Sequence, residues 1–360
     1  MGSRLQLLQA TLAPDEALLL SCSSDVFYFF AAQISSHERE ALAVVTGTSS
    51  RLLHSPLIKL PRQNRVKYVP NMQAQDWQAV GVWLASKNIR RVLFDESDLR
   101  VRELRTLRRL VRAEPSKASF QFVRQDRTKI WQLCQVKSED ELAVMRRAGR
   151  ITAEAVATLR AELAPGITER LAARRLDTLM GELGANATSF PTIVAFADHT
   201  ANPHHTPEDT ALAPEMPVLI DCGAQLEGYC SDLTRTFWFG SKPSATFTQI
   251  EIIVHAAYTA GVAELQHTCS SSIAISAKKL DQTVRTVIEQ AGFGEHFIHT
   301  TGHGLGATIH EPPAISPADQ TTLTAGMVLT VEPGIYLANT VGYRHENTIA
   351  LQKKTIEILT

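Results

Sequence analysis

Apolar residues recur along the chain at two spacings, and the way those spacings alternate divides it. In residues 1–130 short β-rich runs take turns with runs at helical spacing. Val26–Phe30, Leu42–Thr46, Val66–Val69 and Arg91–Phe94 read as strands, and Met72–Lys87 and Leu99–Ala113 as helices. Such alternation predicts a two-layer or three-layer α/β domain. Within RVRELRTLRRLVR (100–112), Leu104, Leu107 and Val111 fall on one helical face and the arginines on the other.

The pattern changes after a polar stretch at Gln125–Val136. Ser138 followed by Glu141 forms a capping box, and ELAVMRRAGRITAEAVATLRAEL (141–163) keeps apolar residues at helical spacing up to Pro165-Gly166. A second helix is predicted over Thr168–Leu183. Strands follow at Thr192–Ala197, Val218–Asp221 and Thr234–Phe239, then helices at Thr246–Gln266 and Ile273–Ala291. Met327–Val331 and Asn347–Leu351 read as two more apolar strands. We therefore expect an α/β (α+β) chain of two domains divided near residue 135, covering 1–133 and 134–360.

Bulk numbers add a few constraints. With 360 residues, 44% hydrophobic and 20% charged, the chain has an ordinary globular composition and length enough for two cores. No apolar run approaches the roughly 20 residues that span a bilayer, and the first 20 residues lack a signal-peptide pattern, so no membrane association is expected. Five scattered cysteines, Cys22, Cys134, Cys222, Cys230 and Cys269, suit reduced thiols and a cytoplasmic location. Charge is uneven: residues 1–136 hold 20 Lys+Arg against 12 Asp+Glu, a net of +8, and residues 137–360 hold 16 against 25, a net of −9. The wet face of the arginine-rich helix explains the basic half without nucleic acid. The opposed charges would also suit a head-to-tail contact between subunits.

Candidate chemistry lies in the second half. DCGAQLEGYCSDLTRT (221–236) reads as strand, turn at Gly228 and strand, a hairpin that can bring Asp221 and Asp232 together. Two carboxylates so placed repel unless a cation lies between them. His303 stands between glycines in GHGLGATIHEPP (302–313), with His310 held by the Pro312-Pro313 that follows, and glycines let backbone approach a bound group closely. Glu332 in VEPGIY (331–336) and Glu346 in YRHENTIAL (343–351) sit at apolar strand ends, where an unpaired carboxylate is costly to bury. Each residue alone is more often a turn, cap or surface group. Together, four carboxylates and one imidazole make an oxygen-rich set suited to Mn²⁺, Co²⁺ or Zn²⁺. A pair of such ions activates water near neutral pH and polarises a carbonyl, and Glu332 is the natural general base.

These motifs resemble the metallopeptidase family that includes Xaa-Pro dipeptidases (prolidases), proline aminopeptidases and methionine aminopeptidases, over most of residues 137–360. The resemblance implies a pita-bread catalytic domain with two divalent ions, Mn²⁺ foremost, held by Asp221, Asp232, His303, Glu332 and Glu346. It also implies that His204 in SFPTIVAFADHTANPHHTP (189–207), His310 and Arg344 meet the substrate, and that His303, His310, His204 and Glu332 act in catalysis. Residues 1–133 are similar to the creatinase-like domain of prolidases and proline aminopeptidases. The last motif reads Arg344-His345-Glu346-Asn347, where many members have Arg-Ile-Glu-Asp. The expected activity is hydrolysis of an Xaa-Pro dipeptide by a homodimer, with a proline aminopeptidase or a non-proline metalloaminopeptidase as alternatives. Because the Xaa-Pro bond lacks an N–H, peptidases that grip that group are poorly suited to it.

Overall fold

Leu18 and Leu20 point to one side of the first strand while Ala17 and Leu19 point to the other, and each pair enters a different apolar cluster. That two-sided burial defines the first unit. The computed structural model of the chain describes residues 2–34, 39–58, 60, 66–70, 72–112, 119–125, 127–271 and 273–360. It separates into two compact units, Met1–Cys134 and Gln135–Thr360.

In the first unit the elements run α1 (Gly2–Ala10), β1 (Glu16–Leu20), α2 (Ser23–Phe30), β2 (Ala41–Thr46), β3 (Ser50–His54), β4 (Val66–Pro70), α3 (Ala74–Ser86), β5 (Arg91–Phe94), α4 (Val101–Arg112), β6 (Gln121–Arg124) and α5 (Thr128–Cys134). One six-stranded sheet, in the order β4-β3-β2-β1-β5-β6, carries helices on both faces. Residues of α1, α2 and α5 pack on one face, and Trp77, Val80 and Leu84 of α3 with Leu107 and Val111 of α4 pack on the other. Of the two layerings expected, the three-layer one forms.

Val26–Phe30 is a correction: these residues belong to helix α2, not to a strand. An unbroken apolar run carries no period to separate a buried helix from a buried strand. Here all five side chains are buried, Asp25 lies in the first turn, and Ala31 closes the helix in the left-handed region at φ 54°. Strand β1 escaped notice for the same reason, because Glu16–Leu20 is covered on both faces and shows no alternation of polar and apolar residues. The expected end of the arginine-rich helix at Ala113, and Ser35–Glu38 within the SSDVFYFFAAQISSHERE segment, lie outside the described residues, as does Asp126 in the polar stretch.

The second unit contains α6 (Glu139–Glu162), α7 (Glu169–Glu182), β7 (Ala187–Thr188), β8 (Ile193–Phe196), β9 (Met216–Cys222), β10 (Ala224–Leu226), β11 (Tyr229–Cys230), β12 (Leu233–Phe239), α8 (Ala245–Ser271), α9 (Ala277–Gln290), β13 (Gly302–Gly304), β14 (Glu311–Ile315), β15 (Val328–Val331), β16 (Gly334–Leu337), β17 (Val341–Arg344), β18 (Asn347–Leu351) and β19 (Ile356–Ile358). Two helix pairs each cover their own sheets. Helices α6 and α7 bury Ala155, Leu159, Leu176 and Met180 against Val194, Val218 and Ile220 of the sheet β12-β9-β8. Helices α8 and α9 bury Val254, Leu265, Leu280 and Val284 against Leu329, Val331 and Ile349 of the sheet β14-β13-β15-β18-β19.

The predicted capping box is present: the Ser138 amide donates to Glu141 Oε2 at 2.7 Å and the Glu141 amide to Ser138 Oγ at 3.4 Å. Just upstream, the Lys137 amide donates to the Gly326 carbonyl at 2.7 Å. Its buried ammonium meets Glu311 Oε2 at 3.0 Å. The helix expected from Ile273 starts later, at Ala277, because the Ser276 hydroxyl caps it by accepting from the Lys279 amide.

Thr168 caps α7 in the same way and places Glu169 in its first turn, wholly buried. There it accepts from the rings of His199 at 2.9 Å and His205 at 2.8 Å. Burial works to raise the Glu169 carboxyl, yet donors from His205, Glu208, Phe196 and His199 outweigh it and hold the group below its ordinary value. Burial works to lower His199, and the bond to Glu169, with the charges of Glu169, Asp198 and Glu208, outweighs it and raises the ring. A raised histidine stabilises the fold fully below its unfolded pKa and loses that contribution as pH rises through its folded one. A lowered carboxyl stabilises above its unfolded pKa and loses that as pH falls through its folded one. Both contributions are therefore complete between about pH 4.3 and 6.5, the ordinary values of the two groups. The melting-temperature difference between the parent chain and Glu169→Gln is expected to be largest in that window and to shrink at pH 9. A difference that grows towards pH 9 would contradict the pairing.

Candidate metal centre

Antiparallel pairing of β9 with β12 sets Asp221 opposite Thr234, and Asp232 lies one residue before β12. The intervening β10–β11 hairpin turns on Glu227 and Gly228, both at positive φ (49° and 84°), the two-residue turn whose twist suits a tight hairpin. His303 sits in β13 at a register shift between His303 and Gly304, a bulge that re-aims its ring. Its flanking glycines serve the neighbouring strands: a Cβ on Gly302 would lie 2.1 Å from the Thr330 carbonyl oxygen, and one on Gly304 would lie 2.5 Å from that of Pro312. Glu332 follows β15 and Glu346 precedes β18.

These elements bring all five side chains to the wall of one cavity of about 510 Å³. His303 Nε2 lies 3.5 Å from Asp232 Oδ2 and 3.5 Å from Glu332 Oε1. Single ligand atoms of Asp232, His303 and Glu346 all fall within 4.8 Å of one another. The His303 Nδ1–H donates to the Gly304 carbonyl at 3.0 Å, leaving Nε2 to face the carboxylates. Asp221 is reached through Arg344, which bonds its Oδ2 at 2.5 Å.

Two observations show that this set fits divalent ions. Among the described residues, Asp221 Oδ1 and Glu346 Oε1 are buried with no hydrogen-bond partner, although buried carboxylate oxygens are normally satisfied. The electrostatics agree. Burial raises Asp221, Asp232 and Glu346; the charge of Glu332 raises all three further, that of Asp221 raises Asp232 and Glu346, and that of Asp232 raises Glu346, while Arg344 opposes this for Asp221 and Glu346, and His303 for Asp232. His303 is raised although burial opposes it, through its bond to Asp232 and the charges of Glu332 and Asp232. The pocket holds more negative charge than its own cations neutralise, the condition that bound cations relieve.

The sequence pattern of Metallopeptidase family M24 matches residues 143–353. The chain belongs to that family. An uncharacterized peptidase of Staphylococcus aureus is 38% identical over 231 residues, 64% of either chain, so the match spans less than two thirds of that relative's length. A crystal structure of the prolidase from Pyrococcus horikoshii superposes with a TM-score of 0.85 at 29% identity, covering 99% of this chain and 98% of that one. That of an X-Pro aminopeptidase from Thermotoga maritima gives 0.82 at 25% identity, covering 98% and 97%. The M24 chain thus has the two-domain, pita-bread architecture that its motifs implied.

Around the five acidic and imidazole groups, this M24 chain places the other expected residues differently from one another. His310 is exposed and stacks edge-on against His303, with ring centroids 4.5 Å apart; partial shielding of its ring from water on the cavity side and the charge of His303 lower it. His204, also exposed, lines the same cavity. Arg344 is buried and its guanidinium is engaged by protein: Nε donates to Thr234 Oγ1 at 3.0 Å, Nη1 to the Tyr336 hydroxyl at 2.7 Å and Nη2 to Asp221. Tyr336 then donates to His299 Nε2 at 3.0 Å, since His299 Nδ1–H is spent on the Thr300 carbonyl. Burial pushes the Tyr336 phenol up to about 12.

Sequence reasoning missed Thr234 and Tyr336. The Thr234 hydroxyl donates to Glu346 Oε2 at 2.6 Å while accepting from Arg344, so it joins β12, β17 and the residue before β18 at one atom. The departures His345 and Asn347 face away from the carboxylates. His345 packs between the rings of His255 and Tyr258, and burial, with Arg235 and His255 nearby, pushes it down to about 3, so it is neutral. Asn347 accepts from Arg235 at 2.7 Å and donates to the Tyr258 hydroxyl at 2.6 Å.

Thr234→Val keeps the shape and removes the hydroxyl, leaving Glu346 Oε2 and Arg344 Nε buried without it. We expect a loss of about 1–3 kcal/mol in urea unfolding of the metal-free chain and weaker Mn²⁺ binding by calorimetry, with Thr234→Ser restoring both. A neutral Thr234→Val would refute the role of that atom.

Proposed function

We propose that the chain is a metal-dependent Xaa-Pro dipeptidase, with hydrolysis of the bond between an N-terminal residue and a following proline as its reaction. The observation that carries this reading is the convergence of Asp221, Asp232, His303, Glu332 and Glu346 on one cavity, with two carboxylate oxygens left unpartnered. Two divalent ions held by those five residues, Mn²⁺ ahead of Co²⁺ or Zn²⁺ for so oxygen-rich a set, would supply Lewis acidity to a water and to the scissile carbonyl.

The chain's own groups then divide the remaining work. Glu332 faces the cavity with Oε1 held by the Thr330 hydroxyl at 3.2 Å, and takes the proton of the attacking water. His310 and His204, exposed on the same cavity, contact the peptide and stabilise the developing oxyanion through ring N–H groups. Phe190, Pro191 and Ile193 give the cavity an apolar wall for the pyrrolidine ring. Arg344 keeps the Asp221 carboxylate and the Tyr336 hydroxyl in place.

Likeness to a prolidase over 99% of the chain supports the dipeptidase reading. Comparable likeness to an X-Pro aminopeptidase supports the second reading, action on longer peptides. The five cysteines, too scattered for a disulfide framework, support a reducing, cytoplasmic setting. The opposed charge of the two halves supports a homodimer, to be read from light scattering at low and high salt.

With Mn²⁺ present we expect turnover in the order Ala-Pro, Ala-Pro-Ala, Met-Ala-Ser. Ala-Pro-Ala ahead of Ala-Pro selects the aminopeptidase, and Met-Ala-Ser fastest overturns proline specificity. Chelation abolishes activity and Mn²⁺ restores it, and Asp232→Asn lowers kcat/KM by roughly 10³-fold or more. Full activity in Asp232→Asn would remove the metal assignment.

A further inference from the structure

A second group of titratable side chains, Glu169, His199 and His205, reaches the cavity wall through His205 and lies outside the five proposed ligands. Glu169 Oε1 accepts from the Phe196 amide at 2.8 Å and from His199 Nδ1–H at 2.9 Å. Its Oε2 accepts from His205 Nε2–H at 2.8 Å and from the Glu208 amide at 2.9 Å. One carboxylate on the first turn of α7 therefore fastens both ends of the segment 196–208 and two points within it.

That segment is short of regular structure. It holds one 3₁₀ turn, Ala197–Ala201, entered through Ala197 at a φ of 51°. Its residue His204 is proposed above to meet the peptide, and its neighbours His205 and Thr206 also line the cavity. The His204 backbone is held locally by one bond, from its amide to Asn202 Oδ1 at 3.2 Å. The residue after it is anchored through its ring to Glu169.

Donor atoms of Glu169, His199 and His205 lie within 4.8 Å of one another, a spacing that an ion could bridge. Each carboxylate oxygen already takes one backbone amide and one ring N–H, however, so the group is complete in hydrogen bonds and needs no ion.

We propose that Glu169 is a positioning residue for the peptide-binding imidazole of His204, acting through the 196–208 segment it fastens. This rests on the peptidase reading for the role of His204, and on geometry alone for the fastening. A displacement of about 1 Å at a substrate-positioning group costs on the order of 10²-fold in rate, which sets the scale of the expected effect.

The test compares Glu169→Gln, His204→Ala and the double variant in the full Mn²⁺-loaded chain with Ala-Pro as substrate, with His205→Ala as a second way to release the segment. Glu169→Gln and His205→Ala are expected to lower kcat/KM by roughly 10- to 100-fold with Mn²⁺ affinity unchanged. The double variant should be no slower than His204→Ala alone, because Glu169 has nothing left to position. Full additivity in the double variant, or lost Mn²⁺ affinity in both releasing variants, overturns the proposal. Amide hydrogen exchange supplies a readout free of activity. In the releasing variants, residues 196–208 should exchange faster while 216–222 and 233–239 stay as in the parent. Exchange that is unchanged, or faster throughout, overturns the fastening. If the parent chain cleaves no Xaa-Pro peptide, the functional reading fails by itself and the exchange result still judges the clamp.

Discussion

Mutual repulsion among buried carboxylates is the constraint on which the rest of the second unit depends. Asp221, Asp232, Glu332 and Glu346 share one pocket with a single guanidinium, Arg344, and with five imidazoles, of which His303 meets the carboxylates, and negative charges at that spacing in a low dielectric drive protonation or cation capture. The surrounding chain is arranged to keep them there. Thr234, Thr330, Tyr336 and Arg344 each spend a hydrogen bond on a carboxylate or on a group that holds one. The two sheets that bring the carboxylates together are each backed by a separate helix pair, so the pocket is assembled by packing that lies outside it. The strands can then approach closely where the ligands sit, which is why glycine occupies positions 302 and 304.

How much of this the sequence disclosed depends on whether a feature is local. Ser138 and Glu141 sit three residues apart and satisfy each other, so their helix start was readable at once. Asp221, Asp232, His303 and Glu332 each stand in a short motif with a glycine, proline or hairpin turn beside it, Glu346 stands in Arg344-His345-Glu346-Asn347, and the family resemblance supplied the set. Thr234 had no such signal. It is one threonine among several in an apolar strand, and its importance comes from a bond to a residue 112 positions later. Tyr336 and His299 are likewise joined across 37 positions. Helix α2 shows the opposite failure, a local signal that was strong and misleading. Val26–Phe30 has strand-forming residue types, yet it folds as a helix that is buried on every side.

The same distinction bears on the motif departures. His345 and Asn347 flank a proposed ligand, yet their side chains meet Tyr258, His255 and Arg235. Where many relatives have an apolar residue and an acid, this chain has a neutral ring and an amide, and the half-buried Arg235 finds a carbonyl oxygen where it would otherwise find a charge. The change falls on the side that faces α8 and leaves the carboxylate pocket with its full complement.

The ion pair between Lys137 and Glu311 also governs where the polypeptide can be cut. A fragment begun at the helix start, Ser138, would look reasonable on secondary structure alone. It would strand Glu311 in the interior without a counter-charge, immediately beside His310, and would discard the strap from Lys137 to Gly326. Loss of one member of such a pair costs about 3–5 kcal/mol. A fragment of that half has to include Lys137, because its true start is an electrostatic one.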